Sequence, residues 1–160
     1  MLVGSVRAND VTNITDLFRA GQQTEAMAKL DTLLGDRSER PDLRFLKGTL
    51  LVETRRTDEA LLVFQQLTEE FPELPEPYNN LAALYAARGE FEKARMALDG
   101  ALRANPGFAM AHQNLGDVYA QLARLSYQRA LKIEPGNAAI PPKLLLLREL
   151  TEPSTHKPTP

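Results

Sequence analysis

Residues 75–106 read Pro75-Glu-Pro-Tyr78-Asn-Asn-Leu81-Ala82-Ala-Leu-Tyr85, then Gly89, Ala94, Leu98, Ala101 and Pro106. Moved back by 34 residues, Tyr85 falls on Leu51, Ala94 on Ala60, Leu98 on Phe64, Ala101 on Leu67 and Pro106 on Pro72. Moved back once more, Gly89 falls on Gly21, Tyr85 on Leu17, Ala94 on Ala26 and Leu98 on Leu30. In the forward direction, Leu81, Ala82 and Tyr85 fall on Leu115, Gly116 and Tyr119. A constant period of this length marks a stacked array of helices.

The rest of the composition agrees with a folded, single-domain chain. Its 160 residues are 43% hydrophobic, enough for a sizeable core. The net charge of −2 leaves no basic footprint for nucleic acid. Acids and bases are interleaved, as on a solvated surface. There is no cysteine, which excludes disulfides, thiolate catalysis and cysteine metal sites. No apolar run reaches membrane-spanning length.

Two readings of residues 1–8 stand side by side. Val6 and Ala8 are small residues spaced as before a signal-cleavage site, so the segment reads as the end of a secretory signal whose start is missing. In that case the mature chain starts near Asn9 and works in a bacterial periplasm. The other reading is an ordinary frayed terminus, with a cytoplasmic protein.

Apolar spacing predicts two antiparallel helices per repeat. Val11, Ile14, Leu17 and Phe18 form the first stripe, which Gly21 ends; Ala26, Met27, Leu30, Leu33 and Leu34 form the return, closed by Gly35. Pro41 opens the second repeat, with Leu43, Leu46, Leu50 and Leu51 inward. Thr57 is placed to cap its return helix, with Asp58 and Glu59 on the favourable end of the helix dipole. Pro72 stops that helix, and Asn105-Pro106-Gly107 stops the third repeat. Gly48 and Ala82 fall where two helices of one repeat touch, and Ala60 and Ala94 sit on the partner helix. A large side chain there would cost about 1–3 kcal/mol by overpacking.

These residues resemble the tetratricopeptide repeat, whose pattern is an aromatic, then Leu-Gly/Ala, Tyr, Ala, Phe, Ala and Pro at set offsets. Residues 75–108 fit at nearly every position, with Tyr78 in the place of the usual Trp. The resemblance implies an all-α fold, a right-handed superhelical array of antiparallel helix pairs. Three and a half repeats are expected, at 9–40, 41–74, 75–108 and a shortened 109–135. A capping helix follows at 140–150, and residues 151–160 read as a disordered tail or linker.

The fourth repeat departs from the pattern. Ala82 to Pro106 spans 24 residues, as does Gly48 to Pro72, whereas Gly116 to Pro135 spans 19. The five missing residues are the turn, equivalent to Ala87–Phe91. Leu115, Tyr119, Leu122, Ser126, Ala130 and Ile133 follow one another at steps of three and four without a break. The spacing predicts one helix from about Ala109 to Glu134, roughly 39 Å long. Its second half would expose Leu122, Leu125, Tyr127 and Leu131 unless something covers them. The alternative is a tight turn near Gln121–Arg124. Leu122, Leu125, Leu144 and Leu146 then form a candidate self-association surface, with a homodimer as its product.

Nothing in the chain assembles a catalytic centre, and no cofactor or metal is expected. His156 lies in the tail. His112 occupies the position of Tyr78, where the family packs a ring between helices. The glycines serve turns and close contacts, not a phosphate loop.

Binding is a different matter. The resemblance implies that the first helices of successive repeats line a concave groove for an extended peptide or a helix of a partner protein. The exposed stripe of those helices selects Phe45, Thr49 and Val52 in the second repeat. It selects Glu76, Asn79, Ala83 and Ala86 in the third, and Met110, Gln113, Asp117 and Ala120 in the fourth. Asn80 and Asn114 lie just beside it, and an amide can pair with a backbone whatever the guest's side chains. The family's clamp for acidic chaperone C-termini needs basic residues where this chain has Phe45, Thr49, Met110 and Asn114, so that ligand is excluded. The expected function is a non-enzymatic scaffold that holds a segment of a partner protein in a bacterial cell envelope. The alternatives are self-assembly through residues 122–150, or the recognition arm of a longer envelope enzyme.

Overall fold

The structure, a computed structural model, describes residues 3–35 and 40–151. The expectation for residues 152–160, His156 included, lies outside the described residues. Among them the regular elements are eight α-helices with no strand. In order these are α1 (Val3–Arg19), α2 (Gln23–Leu34), α3 (Pro41–Glu53), α4 (Thr57–Glu70), α5 (Pro75–Ala87), α6 (Phe91–Ala104), α7 (Ala109–Ile133) and α8 (Ile140–Thr151). α1 runs through the expected boundary at residues 8 and 9 without interruption. The chain divides into two compact units, residues 1–77 and 78–160.

In the first unit α1 packs on α2 and α3 on α4. Ile14, Phe18, Ala26, Leu30, Leu43 and Leu50 form one buried cluster. Gly48 lies where expected: a Cβ added there would stand 2.6 Å from the Phe64 ring. α3 begins with Pro41, whose missing N–H costs nothing in a first turn. The cap of α4 differs from expectation. Thr57 is already helical; Arg56 is the capping residue and makes no side-chain cap bond. Its guanidinium instead binds the Glu59 carboxylate at 2.6 and 2.7 Å. One ion pair has no signature in the apolar pattern. Arg44 is buried and donates to both Glu70 oxygens, at 2.5 and 3.0 Å.

The turns joining the two helices of each complete repeat share one geometry. Gly21, Arg55 and Gly89 occupy the same place and have φ of 83°, 61° and 73°. In each, the following residue's N–H reaches back to Leu17, Leu51 or Tyr85. This pairing of a left-handed residue with a long backward bond satisfies the helix's last carbonyls.

The second unit holds the departure. α7 is one helix of 25 residues, about 37 Å long, as the uninterrupted stripe predicts. With the turn missing, its second half continues straight on and cannot pack on its own first half. α8 folds back along α7 and takes part of that role. Leu122, Leu125, Tyr127 and Leu131 are consequently half-buried, and Lys143 Nζ stands 5.2 Å from the centre of the Tyr127 ring. Ile140 is the buried foot of α8. Leu144 is half-buried, whereas Leu145, Leu146 and Leu150 are exposed.

Candidate functional site

The second unit contains an open cavity of about 600 Å³. α5 lines it with Ala82, Ala83 and Ala86, α7 with Asn114, Asp117 and Gln121, and the last turn of α8 with Leu150 and Thr151. The room comes from side-chain size. Three alanines within two turns of α5 leave space that leucines would fill. The α7 wall carries an amide, a carboxylate and a second amide, one per turn, beside the apolar Val118, and Phe91 and Leu98 of α6 add further apolar surface. Such a surface can pair with the backbone of an extended chain, while the alanine floor accepts small or apolar side chains.

The expected groove residues separate on inspection. Ala83, Asn114 and Asp117 meet at the cavity. Gln113 is exposed next to them, and Asn80 is half-buried. Asn79 is a correction: it is buried, 6% exposed, and not presented to a guest. Its Nδ2 donates to the Met110 sulfur at 3.4 Å, and its Oδ1 accepts from Asn114 Nδ2 at 2.8 Å. Met110 and Asn114 of α7 close over that one residue, while Ala83 and Ala86 on the same stripe stay at the cavity. In the first unit Phe45 is half-buried, its ring centre 5.7 Å from that of Phe64, so it gives part of its surface to the core. The Thr49 hydroxyl donates to the Phe45 carbonyl at 3.0 Å, and Val52 is exposed.

His112 is a second correction. It is exposed, with Nε2 2.8 Å from the Pro106 carbonyl oxygen, and is not packed between two helices. The helix that would have covered it is the one the missing turn carries away. Gln121, Leu150 and Thr151 were missed as lining residues. Gln121 lies one helical turn beyond Asp117 and was open to the same stripe argument. The α8 residues were not, since their place follows from the fused helix.

Among the described residues no three acidic or histidine side chains converge as a metal site. No helix of the described residues is long and apolar enough to cross a membrane.

Comparison with known proteins follows the same geometry. Two family models, both described as Tetratricopeptide repeat, match residues 17–85 and 75–118. The TPR repeat-containing thioredoxin TTL4 of Arabidopsis thaliana is 32% identical over 82 residues, covering 51% of this chain. The chain spans only 12% of that protein's length. A tetratricopeptide repeat protein from Parabacteroides merdae has a similar fold, with a TM-score of 0.65 at 20% identity over 90% of this chain and 59% of that one. A thermophilic TPR protein of Thermus thermophilus gives 0.62 at 23% identity, covering 89% and 81% of the two chains. The first TPR of Spaghetti (RPAP3), bound to the HSP90 peptide SRMEEVD, gives 0.50 at 21% identity, covering 71% and 96%.

Proposed function

The chain belongs to the tetratricopeptide repeat family, and from that membership we propose that it is a non-catalytic scaffold whose α5–α7 face holds an extended segment of a partner protein. The observation that carries this reading is the alanine-floored cavity walled by Asn114, Asp117 and Gln121. The guest is neutral or mildly basic, because Asp117 is the charged group on the wall and no lysine or arginine lines it. Without a charge clamp the affinity is on the order of micromolar, about −8 kcal/mol.

Panning a displayed library of random extended peptides against the whole chain tests this. Peptides that bind, and lose binding at least tenfold on Ala83→Arg or Asp117→Lys with helix content unchanged, support it. No enrichment, or binding indifferent to both changes, rejects it.

The proposal extends to location. If residues 1–8 end a secretory signal, the scaffold serves a bacterial cell envelope; otherwise it serves the cytoplasm. N-terminal sequencing of the protein from its host decides, a start near Asn9 supporting the envelope. A second reading, the recognition arm of a longer protein, is favoured by the short span of the chain along its curated relative.

A further inference from the structure

The fourth repeat keeps both halves of a helix pair and lacks only the turn between them. Its first half carries Gly116 and Tyr119 in the places of Ala82 and Tyr85. Counted back from Pro135 as from Pro106, its second half carries Ala123, Tyr127 and Ala130 in the places of Ala94, Leu98 and Ala101. Those two sets are the facing surfaces of a hairpin. On one straight helix they lie along a single stripe and cannot meet.

The structure shows the first set uncovered. A Cβ on Gly116 meets nothing within 4 Å, although one on Gly48 or Gly100 stands 2.6 Å from an aromatic ring of the paired helix. Tyr119 is 51% exposed. His112, one turn before Gly116, is exposed as well. The second set is half-buried, with α8 on one flank.

We infer that two copies of this chain pair through α7, antiparallel, so that the first half of each helix receives the second half of the other. The register is fixed by the complete repeats. Gly48 receives Phe64, so Gly116 receives Tyr127 of the second copy, and the two-fold axis passes between Gln121 and Leu122. The same register satisfies both ends at once, which is the requirement of an isologous contact. Shortening a hinge below the length of a turn is the known route from a hairpin to such an exchange. The occupant is a second copy because it alone brings the matching half in the matching register. The paired stripe is not the cavity face, so the dimer stands or falls apart from peptide capture.

Light scattering on the whole chain from about 1 μM to about 1 mM is the test. The expected result is a mass approaching twice that of one chain. Gly116→Glu, harmless to a monomer in which that position is open, returns the mass to one chain with helix content retained. Inserting Ala-Arg-Gly-Glu-Phe, a copy of residues 87–91, between Ala120 and Gln121 does the same by restoring the hairpin. A monomer throughout overturns the inference. So does a dimer that survives Gly116→Glu; loss of that dimer on Leu146→Asp would move the interface to α8.

Discussion

Asn114 donates its amide to the buried Oδ1 of Asn79 at 2.8 Å, tying α7 to α5 beside the cavity. Asn114 therefore has a structural duty besides any contact with a guest. Asn114→Ala leaves a buried acceptor without this donor and is expected to destabilise the second unit by about 1–3 kcal/mol. Gln113→Ala, on the exposed side of the same turn, is expected to change stability by less than about 0.5 kcal/mol. Urea unfolding followed by circular dichroism separates them, and equal midpoints would remove the duty assigned to the Asn79 pair.

The glycines of the helix seams divide into two kinds. Gly48→Ala drives a methyl to 2.6 Å from the Phe64 ring, and Gly100→Ala does so against Tyr78. Each is expected to cost about 1–3 kcal/mol. In the single chain Gly116→Ala meets open space, and at concentrations low enough to keep the chain monomeric it is expected to raise stability by up to about 1 kcal/mol, through helix propensity alone. Opposite signs from one substitution, read from thermal midpoints, are the check.

Arg55 occupies a left-handed turn at φ 61° that its counterparts fill with Gly21 and Gly89. A side chain in that region costs roughly 1–2 kcal/mol. Arg55→Gly relieves it and loses some of the gain to unfolded-chain entropy. A net increase of about 0.5–1 kcal/mol is expected in the first unit; a decrease would show that the Arg55 side chain supplies more than the turn demands.

Acid should loosen the first unit first. The Arg44 hydrogen bonds hold Glu70 below its ordinary value near 4.5, and Arg56 does the same for Glu59. Arg40 likewise lowers Asp42. A carboxyl with a lowered folded value stabilises fully above its unfolded value and loses that contribution as pH falls through the folded value. Thermal midpoints should therefore hold from pH 7 to about pH 5 and fall below about pH 4.5. Glu70→Gln should flatten part of that fall while lowering the midpoint at pH 7. An unchanged slope would mean that the Arg44 pair contributes nothing to it.

Much of this was legible in the residues because packing against a neighbour at fixed spacing leaves a periodic mark. The close approach of two helices at Gly48, the end of α6 before Pro106 and the unbroken α7 all follow from position in the period. Asn79 was misread because its burial depends on how far α7 leans across α5, which the stripe of α5 alone does not contain. His112 was misread for the opposite reason: its own helix is regular, but the helix meant to cover it has been carried away. The Arg44–Glu70 pair joins residues 26 apart whose types are common on helix surfaces, and only the fold brings them together.

The missing turn also changes the parity of the path. Each complete repeat reverses the chain twice, so it leaves in the direction in which it entered. The last repeat omits one reversal, and α8 travels back toward the alanine floor and delivers Leu150 and Thr151 to its rim. Cargo joined immediately after Thr151 would thus be released at the mouth of the cavity.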